Sequence, residues 1–140
     1  MIWFDKYEIE TLNGFRNGNM GVHIGMEFTE IGDDFLKGTI PVDERTKQPF
    51  GILHGGASCV LAETLGSVAS WMCIDPSAKM AVGLEINANH LRPATEGVIT
   101  GICKPIKIGR TVHVWNIEMF KDDGKMNCTS RLTCVIKDRK

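Results

Sequence analysis

Nowhere in this 140-residue sequence do 18 apolar residues run uninterrupted, and the opening Met1-Ile2-Trp3-Phe4-Asp5-Lys6 is no positively charged leader ahead of a long apolar stretch. Neither a membrane-spanning helix nor a secretory signal is therefore expected, and the chain reads as soluble and cytoplasmic. A charge excess is missing too: 16 Lys and Arg oppose 17 Asp and Glu, for a formal net charge of −1. That removes any global electrostatic case for nucleic acid or an anionic membrane as partner. The five cysteines, Cys59, Cys73, Cys103, Cys128 and Cys134, are scattered, with no C-x-x-C pair and no histidine at a metal-finger interval. They read as small buried hydrophobes in a reducing compartment. The four histidines form no H-E-x-x-H or H-x-H pair, so no metal is expected. Internal repeats, low-complexity tracts and a second domain are absent as well. With 43% hydrophobic and 24% charged residues, residues 1–140 suit a single domain with one core.

Charge is scarcest between Pro49 and Ile74, where Glu63 is the one formally charged side chain in a run opening with Leu53-His54-Gly55-Gly56. A carboxylate in such a run loses hydration that burial alone does not replace. It either pairs with an arginine or lysine elsewhere in the fold or does chemistry. The spacing of Leu61, Leu65, Val68 and Met72 predicts a helix over Ala57 to Met72, with Ser67 one turn beyond Glu63 on the same face. Ser67 is then either a positioned hydroxyl or a small filler bonding its own i−4 carbonyl. Gly55 and Gly56 leave bare N–H groups at the positive end of that helix, a place for a developing oxyanion; the bland alternative is tight helix packing. Eight residues, about 12 Å of axial rise, separate Gly55 from Glu63. Both cannot reach one reacting centre within one chain, whereas two antiparallel helices about a two-fold axis would place Gly55 of one beside Glu63 of the other.

Ile9, Leu12 and Phe15 predict a short amphipathic helix between Lys6 and Arg16. His23 to Glu30 and Phe35 to Val42 read as a hairpin around Gly32-Asp33-Asp34, and Gln48 lies in the Pro- and Gly-containing linker that follows. After Asp75-Pro76, four strands are expected near Met80 to Arg92, Val98 to Pro105, Thr111 to Phe120 and Met126 to Lys137, the last two joined by Asp122-Asp123-Gly124. Alternation in the first of these places Val82, Leu84, Ile86, Ala88 and His90 on one face, which points His90 toward the helix, as a site residue or a packed strand-end histidine. Six strands and one long helix define an α+β architecture, an antiparallel sheet curled around that helix.

The segment Asp43 to Glu63, with Gln48, Gly51, His54 and Ser58 in place, resembles the hotdog-fold acyl-CoA thioesterases of the phenylacetate-degradation type. So do Val82 to Arg92, Gly109-Arg110, Val114-Trp115 to Glu118, and Ser130-Arg131 to Thr133. H-G-G alone would be a weak signal; the combined set covers nearly the whole chain. The resemblance implies a hotdog fold whose sheets join edge to edge in a dimer, usually paired again into a tetramer, with sites between subunits. It implies hydrolysis of acyl-CoA thioesters, aryl or otherwise bulky, without a cofactor. Glu63 would be general base or nucleophile, and Ser67 would position the attacking water or the carboxylate. Gln48 and the Gly55 N–H from the partner chain would polarise the thioester carbonyl, and His54 would line the thiolate side.

Arg92, Lys107 and Arg110, the last two flanking Gly109, are candidate grips for the coenzyme A phosphates; the alternative is a solvated basic turn. Lys107 stands where relatives often carry histidine, and His113 where glutamine is common. Phe50, Trp71 and Met72 are candidate acyl-pocket residues, or simply core. Two other functions share these features: a hydratase or dehydratase on acyl thioesters, and a noncatalytic acyl-CoA-binding module that would not need Glu63.

Overall fold

The computed structural model of the chain describes residues 1–15 and 18–140. A short helix, α1 (Ile9–Gly14), follows the expected spacing and is pinned to the sheet by one side chain. Asn13 donates to the Phe28 carbonyl at 2.9 Å and accepts from the Phe28 N–H at 3.0 Å. The expected strand start at His23 is instead the end of a four-residue helix, α2 (Met20–His23). Asn19 caps its start by accepting from Val22 N–H, and Gly25 ends it in the left-handed region at φ 73°. With Met26 N–H on the Gly21 carbonyl at 2.8 Å and Gly25 N–H on that of Val22 at 3.1 Å, the segment closes as a Schellman turn. The strand therefore starts later. β1 (Glu27–Ile31) and β2 (Leu36–Pro41) form the expected hairpin.

The long helix α3 (Gly55–Met72) begins at the glycine pair and buries Leu61, Ala62, Leu65, Gly66, Ala69 and Met72. Its small residues answer to close approach. A Cβ on Gly66 would come within 2.5 Å of Leu132 Cδ2, so a larger residue here would have to displace a fully buried leucine side chain. Ser70 instead satisfies a buried donor. Its Oγ accepts the Trp115 indole N–H at 2.7 Å, a group that would otherwise lose its water without replacement.

Four strands complete the sheet: β3 (Lys79–His90), β4 (Val98–Ile108), β5 (Val112–Phe120) and β6 (Met126–Asp138). The order is β1-β2-β4-β5-β6-β3, every pairing antiparallel, with the core between the sheet's inner face and α3. This is the six-stranded sheet around one helix expected of a hotdog fold. One expectation fails in β3. The pairing shifts between Gly83 and Glu85, so Leu84 bulges out and the alternation changes phase. Ile86 and Ala88 pack against the core, while Val82 and Leu84 stand 40% and 66% exposed on a strand that forms one edge of the sheet. Among the described residues no helix is long and apolar enough to cross a membrane.

Candidate active site

The approach to α3 is fixed by the backbone. Leu53 N–H bonds the Ala94 carbonyl and His54 N–H that of Thr46, each at 2.8 Å, so the helix start is tied to two loops at once. His54 then caps the helix, its Nδ1 accepting the Gly56 N–H at 2.8 Å. Only one of the two expected bare donors is therefore left: Gly55 N–H has no acceptor among the described residues. A Cβ at Gly55 would fall 2.7 Å from His90 Nε2, so a larger residue there would displace the exposed imidazole. The imidazole thus stands at the start of α3, where the strand alternation points it.

Gln48 reaches the same place from the linker. Its N–H bonds the Ile52 carbonyl at 2.8 Å, its carbonyl accepts Gly51 N–H at 3.0 Å, and its side-chain oxygen accepts the Phe50 N–H. That arrangement leaves the amide NH₂ as the donor the side chain can offer. Gln48, Gly55, Ser58, His90, Arg92 and Asn127 line a cleft of about 500 Å³ whose other walls include Leu53, Leu91 and Ala94. Arg92 is anchored by donating to the Met126 carbonyl at 2.7 Å, leaving its remaining donors for a ligand. Phe50 is 90% exposed and does not line the cleft.

Glu63 is elsewhere. It does not line that cleft but lies against β3, where a Cβ on Gly83 would meet its Oε1 at 2.8 Å. Among the described residues it has no ion-pair partner, so the paired-carboxylate alternative finds no support. Ser67 shares its neighbourhood through Cys134. Burial pushes that thiol's pKa up, hydrogen bonds with Ser70 and Ser67 pull it down, and the Glu63 charge adds to the rise. The i−4 carbonyl bond considered for Ser67 belongs instead to Thr64, whose hydroxyl bonds the Val60 carbonyl at 2.6 Å.

Lys107, Gly109 and Arg110 sit at the opposite end of the sheet. Lys107 is the penultimate residue of β4, and Arg110 borders a hollow with Lys79, Thr111 and Lys137, beside the start of β3. His90 ends that 12-residue strand, about 36 Å away at roughly 3.3 Å per residue. Trp71 and Met72 serve the far end of α3. Met72 is fully buried, and Trp71 packs on Tyr7 and Phe15 at 5.1 and 5.5 Å between ring centroids, so within this chain both belong to the core. Among the described residues no cluster of side chains could hold a metal ion.

His113, which the sequence left without a role, is buried, stands edge-on to Trp115, and has no hydrogen-bond partner for its Nδ1 among the described residues. Its pKa is lowered by burial, against a smaller opposing pull from the Gly109 backbone. A folded-state pKa below the unfolded value of about 6.5 means that the unfolded chain takes up the proton first. Stability is then complete above about pH 6.5 and declines as the pH falls through the folded-state value. His113→Gln should flatten that acid limb, as read from thermal unfolding midpoints between pH 7.5 and 5; an unchanged slope would assign the decline to other groups.

A six-stranded antiparallel sheet around a capped glycine-pair helix, with a donor-lined cleft at its start, is the hotdog architecture of thioester-processing proteins. The comparisons agree. Residues 50–128 match the model of the Thioesterase superfamily. Over 136 residues, 97% of the chain, it is 54% identical to the 1,4-dihydroxy-2-naphthoyl-CoA hydrolase of Escherichia coli, covering 99% of that protein. It is 44% identical, again over 97% of its length, to the proofreading thioesterase EntH of Cronobacter turicensis, of which 98% is covered. The crystal structure of a mutant of thioesterase PA1618 from Pseudomonas aeruginosa superposes with a TM-score of 0.98 at 45% identity, over 99% of this chain and all of that one. The chain belongs to the thioesterase superfamily and is an enzyme of the thioester-hydrolase class.

Sequence reasoning did not find Asn127 or Ser58 as cleft residues, or the capping role of His54. The cap leaves a signal in the sequence, a side chain with an acceptor directly before a helix, and could have been read from it. Asn127 leaves none, being one polar residue between Met126 and Cys128 in an alternating strand.

Proposed function

We propose that residues 1–140 form a single hotdog thioesterase domain that hydrolyses aryl or otherwise bulky acyl-CoA thioesters at sites shared by two copies of the chain. The observation that carries this reading is the separation of the two half-sites: a carbonyl-polarising cleft at the start of α3, and a carboxylate about 12 Å further along the helix. Each half lacks what the other has. Edge-to-edge pairing of β3 with its copy would cover Val82 and Leu84 and run the two strands antiparallel, so that the Lys79 end of one meets the His90 end of the other. The same operation would bring Lys107 and Arg110 toward the cleft of the neighbouring chain. The further pairing of two such dimers into a tetramer follows the family pattern.

In this scheme the thioester oxygen takes hydrogen bonds from Gly55 N–H and the Gln48 amide of one chain. Glu63 of the other attacks the carbonyl or deprotonates water to do so, with Ser67 beside it positioning the attacking group. The thiolate leaves past His54. His90 and Arg92 on the cleft wall, Phe50 at its exposed rim, and Lys107, Gly109 and Arg110 from the neighbouring chain would hold the substrate, the three basic side chains on the coenzyme A phosphates. Thiolate is a good leaving group, so activating the attack and holding the oxyanion suffice without a cofactor. The relative named a 1,4-dihydroxy-2-naphthoyl-CoA hydrolase supports the reaction and the acyl class, and the one named a proofreading thioesterase supports the reaction.

Thiol release measured across aryl, short aliphatic and long aliphatic acyl-CoA esters tests the reading. Aryl-selective release is the expected result. Hydration of an enoyl thioester without thiol release would favour the hydratase reading, and binding without turnover a noncatalytic module. Replacing Lys107 and Arg110 together by alanine should raise KM several-fold for acyl-CoA and leave it nearly unchanged for a thioester lacking the nucleotide. Equal effects on both substrates would reduce the basic pair to support of the fold.

A further inference from the structure

The strand that closes the cleft, β6, carries a bulge of its own. Across β5 and β6, Met126 pairs with Phe120 and Cys128 with Met119, which leaves Asn127 without a cross-strand partner. An extra residue in one strand breaks the alternation of faces, and here both Asn127 and Cys128 are buried. The backbone of Asn127 is used, its carbonyl accepting Leu91 N–H at 2.8 Å and so holding the segment that carries Arg92 against β6. Its side chain is not. Asn127 is 4% exposed, its Oδ1 has no hydrogen-bond partner among the described residues, and the residue lines the cleft shared with Gln48, Gly55 and His90.

A buried amide oxygen without a partner costs the protein its lost hydration, a cost that an apolar residue in the same bulge would not carry. Polar groups left unpaired at the wall of a cleft are the groups a ligand can satisfy. We propose that Asn127 is a substrate-selecting residue whose amide oxygen accepts a hydrogen bond from an N–H or O–H of the acyl thioester bound in this cleft. The donor lies on one side of the thioester or the other: a hydroxyl on the acyl group, or an amide N–H of the pantetheine arm. The assignment rests on the thioesterase reading above.

The test compares wild type with Asn127→Leu, similar in size and without polar atoms, on three kinds of substrate: benzoyl-CoA, the hydroxybenzoyl-CoA isomers, and the ethanethiol ester of benzoic acid, which has neither ring hydroxyl nor pantetheine. Removing an unpaired polar group should leave the unfolding midpoint of the ligand-free protein unchanged or higher. Activity should move the other way. A loss of about tenfold or more in kcat/KM confined to a hydroxybenzoyl ester supports the assignment with the donor on the acyl group. The same loss on every CoA ester but not on the ethanethiol ester supports it with the donor on the pantetheine arm. Equal losses on all substrates, or none, would overturn it. Should Asn127→Leu not fold, Asn127→Ala, which cannot overfill the site, decides by the same comparison. A wild-type protein that hydrolyses none of these esters would withdraw the thioesterase reading and this assignment with it, whereas wild-type turnover with a uniform Asn127 effect withdraws the assignment alone.

Discussion

Glu63→Gln is expected to leave the fold and substrate binding intact and to lower thioester hydrolysis by about two orders of magnitude or more, the scale for loss of a general base or nucleophile. The substitution nearly keeps shape and removes charge and basicity together. The structure favours a clean result. Glu63 is exposed in the single chain and has no ion pair among the described residues, so no partner is left stranded. The neighbouring Cys59 and Cys134 thiols, whose pKa values are raised chiefly by burial and further by the Glu63 charge, lose only a repulsive neighbour. A kinetic trace with unchanged KM and collapsed kcat would identify Glu63 with the chemical step. Wild-type turnover in a folded Glu63→Gln protein would remove it from the mechanism.

Much of this arrangement was legible before any coordinates because it rests on strong local signals. A run whose single charge is Glu63, with helical spacing and a glycine pair at its head, specifies α3, and the turn compositions Gly32-Asp33-Asp34 and Asp122-Asp123-Gly124 specify two hairpins. Rise per residue then separates Gly55 from Glu63 with no tertiary information, because the helix is unbroken between them. The failures share a physical cause. Reading faces from alternation assumes an unbroken pleat, and bulges at Leu84 and Asn127 break it. Helix α2 depends on a side-chain cap at Asn19 and a left-handed Gly25, whose joint effect exceeds the strand preference of the residues after it. Trp71 and Met72 illustrate the remaining difficulty: a large apolar residue on the central helix carries no mark that separates pocket from core until its neighbours are known.

The division of the site between chains admits a direct test through two inactive variants. A Glu63→Ala subunit retains Gln48, Gly55 and the cleft they line; a Gln48→Ala subunit retains the carboxylate on β3's inner side. Each homodimer carries one lesion in both of its sites, and each should be poorly active. In a mixed dimer the two-fold axis sorts the lesions differently, placing both in one site and neither in the other. The expected gain over either parent is large, because one complete site turns over at the wild-type rate while the other contributes almost nothing. The decisive measurement is thiol release by a heterodimer of Glu63→Ala and Gln48→Ala chains, purified through a different tag on each. The intersubunit account predicts about half the wild-type activity per dimer, and activity no higher than that of the parental variants would contradict it.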